Sequence, residues 1–521
     1  MKSRQVLALA SLFASTLAAV DGVVSMNIRS LHPSQRFRPL RRRGDTHEEA
    51  IANNISYGAY FTTVTVGGQS QQLLLDTGSS DTWVLESSLC TGRSSDCVSS
   101  YNPDSSSSFS NLSLSFDITY LDGSSAKGYY FEDTLKFSSD GASVSSLQMG
   151  LATSGSDVST GIMGIGFEGN EAAKTEYENV IDKMFTSGVI GSRAYSLYLD
   201  DLDDSSGTIL FGGLDSDKFT GSLISVPIQK TGTEYTAFYV ALSSVASVYS
   251  NNGSIDANYS SDWTSSDYVN VILDSGTTLT YLPETIADSI FDAFGVTYND
   301  NLGYASCECS LANSDLAIEY QFGGSDGPKI QVTAHELVID TSSSSSSAIN
   351  SDSSSAISSD STTSGSTTRG APRFRGAHQK RQGPGGGPSG FPGGGPGGGS
   401  GGGSGSSGSC YFGISKSSST YLLGDTFLRS AYVVYDLDSK QIALAQSNLN
   451  ATSSSVIAMT SGSSIPGVSS TATASSSNRN SQSGSSRSVS APQWEAIAVS
   501  AVVSMSLFVG GFGYGIFARS F

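Results

Sequence analysis

One frame occurs twice in this chain and limits what it can fold into. The first copy reads Leu73-Leu74-Leu75-Asp76-Thr77-Gly78-Ser79-Ser80-Asp81-Thr82-Trp83-Val84. The second reads Val271-Ile272-Leu273-Asp274-Ser275-Gly276-Thr277-Thr278-Leu279-Thr280-Tyr281-Leu282. Both share Leu-Asp, a small hydroxyl residue, glycine, two further hydroxyl residues, any residue, threonine, an aromatic and an aliphatic. In each, an apolar run of strand type ends on a carboxylate, whose burial costs free energy unless something there uses it. One copy is a turn; two copies are a site.

At 521 residues the chain can hold two or more domains with a sizeable core. A net charge of -19 argues against nucleic acid as a partner and suits an acid environment. Lys and Arg cluster outside the expected core, between Arg36 and Arg43 and between Arg369 and Arg381. The four histidines, His32, His47, His335 and His378, are scattered, which leaves little for a metal site or a His-based triad. No metal and no cofactor is expected.

Residues 1–20 read as a secretory signal, with Lys2 and Arg4 ahead of the apolar run Val6 to Val20 and small residues after it. Secretion favours disulfides among the five cysteines. Cys90 and Cys97 are close enough to staple one loop, whereas Cys307, Cys309 and Cys410 leave one unpaired. Asn54, Asn111, Asn252, Asn258 and Asn450 open glycosylation sequons. Residues 21–43 end in Arg41-Arg42-Arg43 and read as a propeptide removed after Arg43.

From Tyr57 onward β-formers alternate between Gly/Ser turns, starting with a hairpin about Gly67-Gly68. Further strands are expected over Leu112 to Tyr120, Gly128 to Phe137, Ser143 to Ala152, Ala194 to Leu199 and Gly207 to Phe211. Helices are expected over Glu176 to Thr186 and Glu284 to Phe294. Each aspartate loop is followed by an apolar run with a glycine, Gly161 to Phe167 and Tyr421 to Phe427. The reading is therefore all-β, in two related lobes spanning 44–222 and 223–449. Residues 341–408 are Ser/Thr-rich, then Gly/Pro-rich, and are expected to form a disordered insertion in the second lobe. Residues 450–495 read as a Ser/Thr-rich stalk. The hydrophobic stretch 496–521 reads as a glycolipid (GPI) anchor signal, or alternatively as a transmembrane helix.

Two aspartates in one frame, with no His, Cys or metal ligand beside them, point to a carboxylate pair. If the repeat brings Asp76 and Asp274 together, they cannot both ionise, and the pair holds one proton over an acid range. A water between them can lose a proton to the carboxylate and attack a peptide carbonyl. The protonated partner polarises that carbonyl and then supports proton delivery to the leaving nitrogen. Gly78 and Gly276 permit the tight turns, and Thr77, Ser79, Ser275 and Thr277 supply hydroxyls to hold the carboxylates coplanar.

On these residues the chain resembles a pepsin-family aspartic endopeptidase. With its stalk, anchor-like tail and acidic lobes, it is most similar to the yapsin-type GPI-anchored proteases of fungi. The resemblance spans about Tyr57 to Leu449 without the insertion. It implies a bilobal pepsin-like fold with the cleft between the lobes, polypeptide substrates, an acid optimum and Asp76 and Asp274 as the catalytic residues. Ile118 to Ser124 resembles the flap, with Tyr120 as its tyrosine, Trp83 as the partner of that hydroxyl, and Asp122, Gly123 and Thr278 on the substrate side. An aspartate at the place of Asp122 implies a preference for Lys or Arg at the cleavage site. The resemblance also implies bridges Cys90–Cys97 and Cys309–Cys410, leaving Cys307 as a departure from the usual count. Cleavage near Arg381 would then leave two chains joined by Cys309–Cys410, and otherwise a monomer at the cell surface. Propeptides of the family commonly set a lysine against the catalytic pair, and Met26 to Arg43 contains none.

Overall fold

Strands Tyr60–Val66 and Gln69–Asp76 form an antiparallel hairpin whose turn is Gly67-Gly68. Both glycines have positive φ, 52° and 81°, the backbone that a two-residue hairpin turn demands. The computed structural model describes residues 20–30, 59–91, 97–137, 141–203, 206–251, 254–256, 263–300, 303–339 and 409–472. All of them belong to one compact unit, formed by residues 1–344 with 408–521. The secretory signal, the Arg41–Arg43 site, Asn54, Asn252, Asn258, the insertion and the tail from residue 473 lie outside the described residues.

The first lobe stacks the hairpin on the long antiparallel strands Ser110–Thr119, Ser125–Phe137 and Ser143–Ser156. The second lobe is built on Tyr239–Asn251, Trp263–Leu273, Leu316–Phe322 and Lys329–Thr333. Between them run Ala194–Tyr198, Ala431–Asp436, Gln441–Ser447 and Phe219–Pro227. The strand Phe219–Pro227 crosses the expected lobe boundary at 222/223, so the lobes share a sheet there. Leu73, Leu75 and Val84 from one aspartate loop and Val271, Leu273 and Leu282 from the other belong to one continuous core. Each apolar run therefore delivers its aspartate to the same interior.

Helix Glu284–Phe294 forms where the spacing places it. Ile286, Ala287, Ile290, Phe291 and Phe294 make its buried face, and Gly295, at φ 65°, ends it by donating its N–H to the Phe291 carbonyl. The other helix is shorter than expected, Val180–Thr186, because the Asn179 side chain caps it by accepting from Ile181 and Asp182.

Two stretches given other roles by the sequence are built into the fold. Val24–Ser30, inside the expected propeptide, is a strand between Ser206–Phe211 and Tyr60–Val66. The stalk expected from residue 450 begins as folded chain: Val456–Ala458 pairs with Gly213–Asp215, and Val468–Thr471 joins Phe219–Pro227. Met459, Ile465 and Ala472 are buried there, so the Ser-rich composition hides an apolar residue at each point of contact.

Candidate active site

The two aspartate loops are wired alike. Asp76 ends the strand Gln69–Asp76, which runs parallel to Gly161–Gly164, and Asp274 follows Leu273, where Ile272 and Leu273 run parallel to Leu422 and Leu423. In the first loop the Gly78 N–H donates to Asp76 Oδ1 at 2.8 Å, and the Ser79 hydroxyl donates to Oδ2. In the second the Gly276 N–H donates to Asp274 Oδ1 at 2.9 Å, and the Thr277 hydroxyl to Oδ2 at 2.7 Å. Both carboxylates are thus fixed at both oxygens by the same two positions of the repeat.

Glycine is required at Gly78 and Gly276 because the opposite carboxylate occupies the space. A Cβ on Gly78 would lie 2.6 Å from Asp274 Oδ1, and one on Gly276 would meet Asp76 Oδ1. The two aspartates therefore face each other across these backbones. Asp76 is only 5% exposed and Asp274 8%. Burial, and then the charge of Asp274, push Asp76 up to about 7, and burial raises Asp274 as well. Two buried carboxyls this close hold a proton between them well above the ordinary carboxylate range.

The runs with glycine thread behind each loop. The Asp76 carbonyl accepts from Ile165 N–H at 2.9 Å, and the Ser79 carbonyl from Gly166 N–H at 2.9 Å. On the other side Asp274 N–H donates to Leu423 O at 3.1 Å, and Asp425 N–H to Thr277 O at 2.9 Å. A Cβ at Gly424 would strike the Thr277 and Leu279 carbonyls, and one at Gly164 would sit 2.7 Å from the Asp81 carbonyl. Thr278 is buried in this loop, and its carbonyl accepts from Thr426 N–H at 3.1 Å.

Over the first loop lies a hairpin turn, Tyr120 to Ser124, between Ser110–Thr119 and Ser125–Phe137. Tyr120 N–H donates to Ser124 O at 2.9 Å, and Gly123, at φ 80°, donates its N–H to Tyr120 O at 3.0 Å. Fully buried Trp83 donates its indole N–H to the Tyr120 hydroxyl at 2.7 Å. Asp122 is half-buried at the tip, where its carboxylate accepts from Ser124 N–H at 2.9 Å. The Tyr281 hydroxyl, on the second aspartate loop, is pushed upward by burial, by Tyr298 and by the charge of Asp122.

Cys90 is bonded to Cys97 and Cys309 to Cys410, and Cys307 is free and buried. Of the glycosylation sequons on described residues, Asn111 and Asn450 are exposed. Among the described residues no group of His, Cys, Asp and Glu is placed to hold a metal ion, and no helix is long and apolar enough to cross a membrane.

Three groups near the site were missed by the sequence reading. Asp425, only 1% exposed, lies behind Asp274 with no hydrogen-bond partner for Oδ1, and burial holds its carboxyl well above the usual range. Arg429 beside it pairs with Glu336, Nε to Oε2 at 2.5 Å, with both side chains buried. Asp81, fully buried, accepts from the Tyr130 and Tyr177 hydroxyls at 2.7 and 2.8 Å and from Ala172 N–H at 2.7 Å. Asp425 follows the apolar run Tyr421-Leu422-Leu423-Gly424, the same signal that singled out Asp76.

The sequence model of the family described as eukaryotic aspartyl protease matches residues 59–362 and 401–447. The chain is 36% identical over 466 residues to "Probable aspartic-type endopeptidase opsB" of Aspergillus oryzae, covering 86% of this chain and 81% of that one. It is 33% identical over 426 residues to "Secreted aspartic protease 8" of Candida albicans, covering 80% and 82%. Among solved structures, the aspartic proteinase from Irpex lacteus superposes with a TM-score of 0.53 at 20% identity, over 83% of this chain and all of that one, which is a likeness of fold. With its paired aspartate loops, this chain belongs to the eukaryotic aspartyl proteases and is an aspartic-type endopeptidase.

Proposed function

We propose that Asp76 and Asp274 form the catalytic dyad and hydrolyse peptide bonds by activating a water in acid. The observation that carries this is the mutual approach of the two buried carboxylates, each seated where a side chain on the other loop's glycine would go. With one carboxyl ionised and the other protonated, water passes a proton to the ionised one as its oxygen attacks the carbonyl carbon. The protonated partner hydrogen-bonds the carbonyl oxygen as it gains charge. The tetrahedral species then collapses, the C–N bond breaks, and a carboxyl proton goes to the leaving nitrogen. Tyr120, held by Trp83, and Gly123 close over the substrate, with Thr278 on the opposite wall.

Asp122 selects Lys or Arg at the cleavage site. Support comes from its place at the tip of the turn, where a cationic side chain would find a partner that an apolar pocket lacks. The protein is made with signal 1–20 and propeptide 21–43, is cut after Arg43, and is held at the cell surface by a glycolipid anchor signalled within 496–521. A cut near Arg381 leaves two chains joined by Cys309–Cys410; otherwise the enzyme is a monomer.

The test is a peptide-library digest at several acid pH values, wild type beside Asp76→Asn and Asp274→Asn. Cleavage that survives either substitution overturns the dyad. An unchanged Lys/Arg-to-Leu cleavage ratio in Asp122→Ala removes the basic preference. Release from cells by phosphatidylinositol-specific phospholipase supports the anchor, and retention refutes it.

A further inference from the structure

The strand Val24–Ser30 precedes the stretch that the family model matches, yet it fills a slot in the middle of the largest sheet. On one side it pairs from Val24 with Phe211 to Arg29 with Ser206; on the other, from Ile28 with Thr62 to Ser30 with Tyr60. Val24, Met26 and Ile28 alternate inward and are at most 2% exposed. Without the strand, Ser206–Phe211 and Tyr60–Val66 would each keep an unpaired edge beside an emptied apolar slot.

The C-terminal segment locks the start of this strand. Gly191 donates its N–H to the Gly22 carbonyl at 3.1 Å and accepts from Ser461 N–H at 2.9 Å. Met459 N–H donates to Gly212 O at 2.8 Å, and a Cβ on Gly213 would lie 2.7 Å from the Val23 side chain and 3.2 Å from the Ile457 carbonyl. Two segments that flank the matched region, 20–30 and 456–472, therefore meet at one glycine corner.

If the chain is cut after Arg43, the new N-terminal segment is the natural candidate to take over the slot. Its sequence does not suit it. A replacement must present three alternate apolar side chains and still leave a turn before Tyr60. Every alternate triplet between Gly44 and Ile55 contains Asp, Glu, His or Asn. The best frame, Ile51-Asn53-Ile55, would put Asn53 in the place of fully buried Met26, with no built partner for its amide. The occupant that fits is the one already there.

We infer that Val24–Ser30 stays in its slot after processing, so that the mature enzyme carries a piece of its own propeptide as a non-covalently bound strand. This rests on the proposed cut after Arg43. The slot then holds its peptide permanently, locked at Gly191, Gly212 and Gly213 by contacts with the C-terminal segment.

The test is to purify the active, processed protein by native size exclusion, denature it, and weigh its components. A catalytic chain beginning at Gly44 together with a peptide spanning Val24–Ser30, near one to one, is the expected result. An active chain beginning at Gly44 without that peptide overturns the inference. A single chain continuous from before Val24 through Asp76 would instead refute the cut. In that case a specific-protease site replacing Arg41–Arg43 is cut after folding: co-elution of the peptide upholds the inference, and its loss on the column overturns it. Ile28→Ala in the same cut protein should speed exchange with isotope-labelled peptide at least tenfold, and unchanged exchange counts against the slot.

Discussion

Thr77 and Ser275 hold each other across the two lobes. The Thr77 N–H donates to Ser275 Oγ at 3.2 Å, and the Ser275 N–H donates to Thr77 Oγ1 at 2.9 Å. Each hydroxyl then passes its own hydrogen to the opposite strand, Thr77 to Leu273 O at 2.8 Å and Ser275 to Leu75 O at 2.9 Å. Neither aspartate can therefore be placed without the other loop.

Thr77→Val keeps the shape of the side chain but leaves the Ser275 N–H and the Leu273 carbonyl unpaired in a buried place. Each such loss costs about 1–3 kcal/mol. We expect a lower Tm and a lower kcat with little change in KM, since the substitution misplaces the dyad and not the substrate. Ser275→Ala should do the same. The double variant should lose less than the sum, because the four bonds act as a unit. Thermal unfolding and single-substrate kinetics on the three variants measure this, and strict additivity would contradict it.

Trp83→Phe removes the N–H that holds the Tyr120 hydroxyl at 2.7 Å and leaves an aromatic ring to pack near Phe116. Tyr120→Phe removes the same bond from the other side at almost constant volume. A net hydrogen bond of about 1 kcal/mol corresponds to a several-fold loss in kcat/KM. Each single variant should show a loss of about that size, and the double variant little more than either. A double variant much slower than both would mean that Tyr120 acts independently of Trp83.

The aspartate frame was legible because its signal is local: an apolar strand pattern broken by a carboxylate, a hydroxyl residue and a glycine. Helix Glu284–Phe294 was legible for the same reason, through its period. Glu336 and Arg429 were not, since 93 residues separate them and only the fold brings them together, whereas Asp425 carries the same local signal as Asp76 but stands outside the two repeated frames. The strand Val24–Ser30 carries clear alternation, Val24, Met26, Ile28, but it stands ahead of the polybasic run Arg41 to Arg43, a signal for removal that says nothing of packing. The stretch after Asn450 was misjudged by composition. Its few apolar residues, Met459, Ile465 and Ala472, are buried, and hydroxyls around them, such as Ser454 on Asp215 and Ser469 on Leu223 O, tie the segment to the fold.

Arg429 and Glu336 form a buried pair, with side chains 4% and 2% exposed, and the guanidinium also donates to the Glu336 carbonyl at 2.5 Å. The Arg429 charge holds the Glu336 carboxyl below the ordinary range against the effect of burial. Removing one partner strands the other charge, which costs about 3–5 kcal/mol. Arg429→Met should therefore yield little folded protein. Arg429→Met combined with Glu336→Leu should recover much of the loss, because both charges then leave together. Soluble yield and Tm decide it, and a double variant worse than the single would mean that hydrogen bonding to Leu202 and its neighbours dominates.

Stability should fall as pH rises from acid toward neutral. Burial raises Asp76 to about 7 and Glu171 to about 9, and raises Asp81, Asp274 and Asp425. These carboxyls ionise in the unfolded chain near their ordinary values, about 4. Between there and their folded values the native state binds more protons than the unfolded one. Their contribution is therefore complete below about pH 4 and is lost as pH climbs through the folded values. Asp133, Glu336 and Asp438 are lowered and act in the opposite sense, with a contribution present above about pH 4 and lost in stronger acid. The two sets place the maximum at about pH 4–5, with a long decline on the neutral side. Asp425→Asn, neutral at every pH, should flatten that decline. Melting curves across this range check it, and a Tm that rises from mild acid to neutral pH would refute it. Activity should fade over the same neutral limb, as the shared proton leaves Asp76 and Asp274 and two like charges are left facing each other.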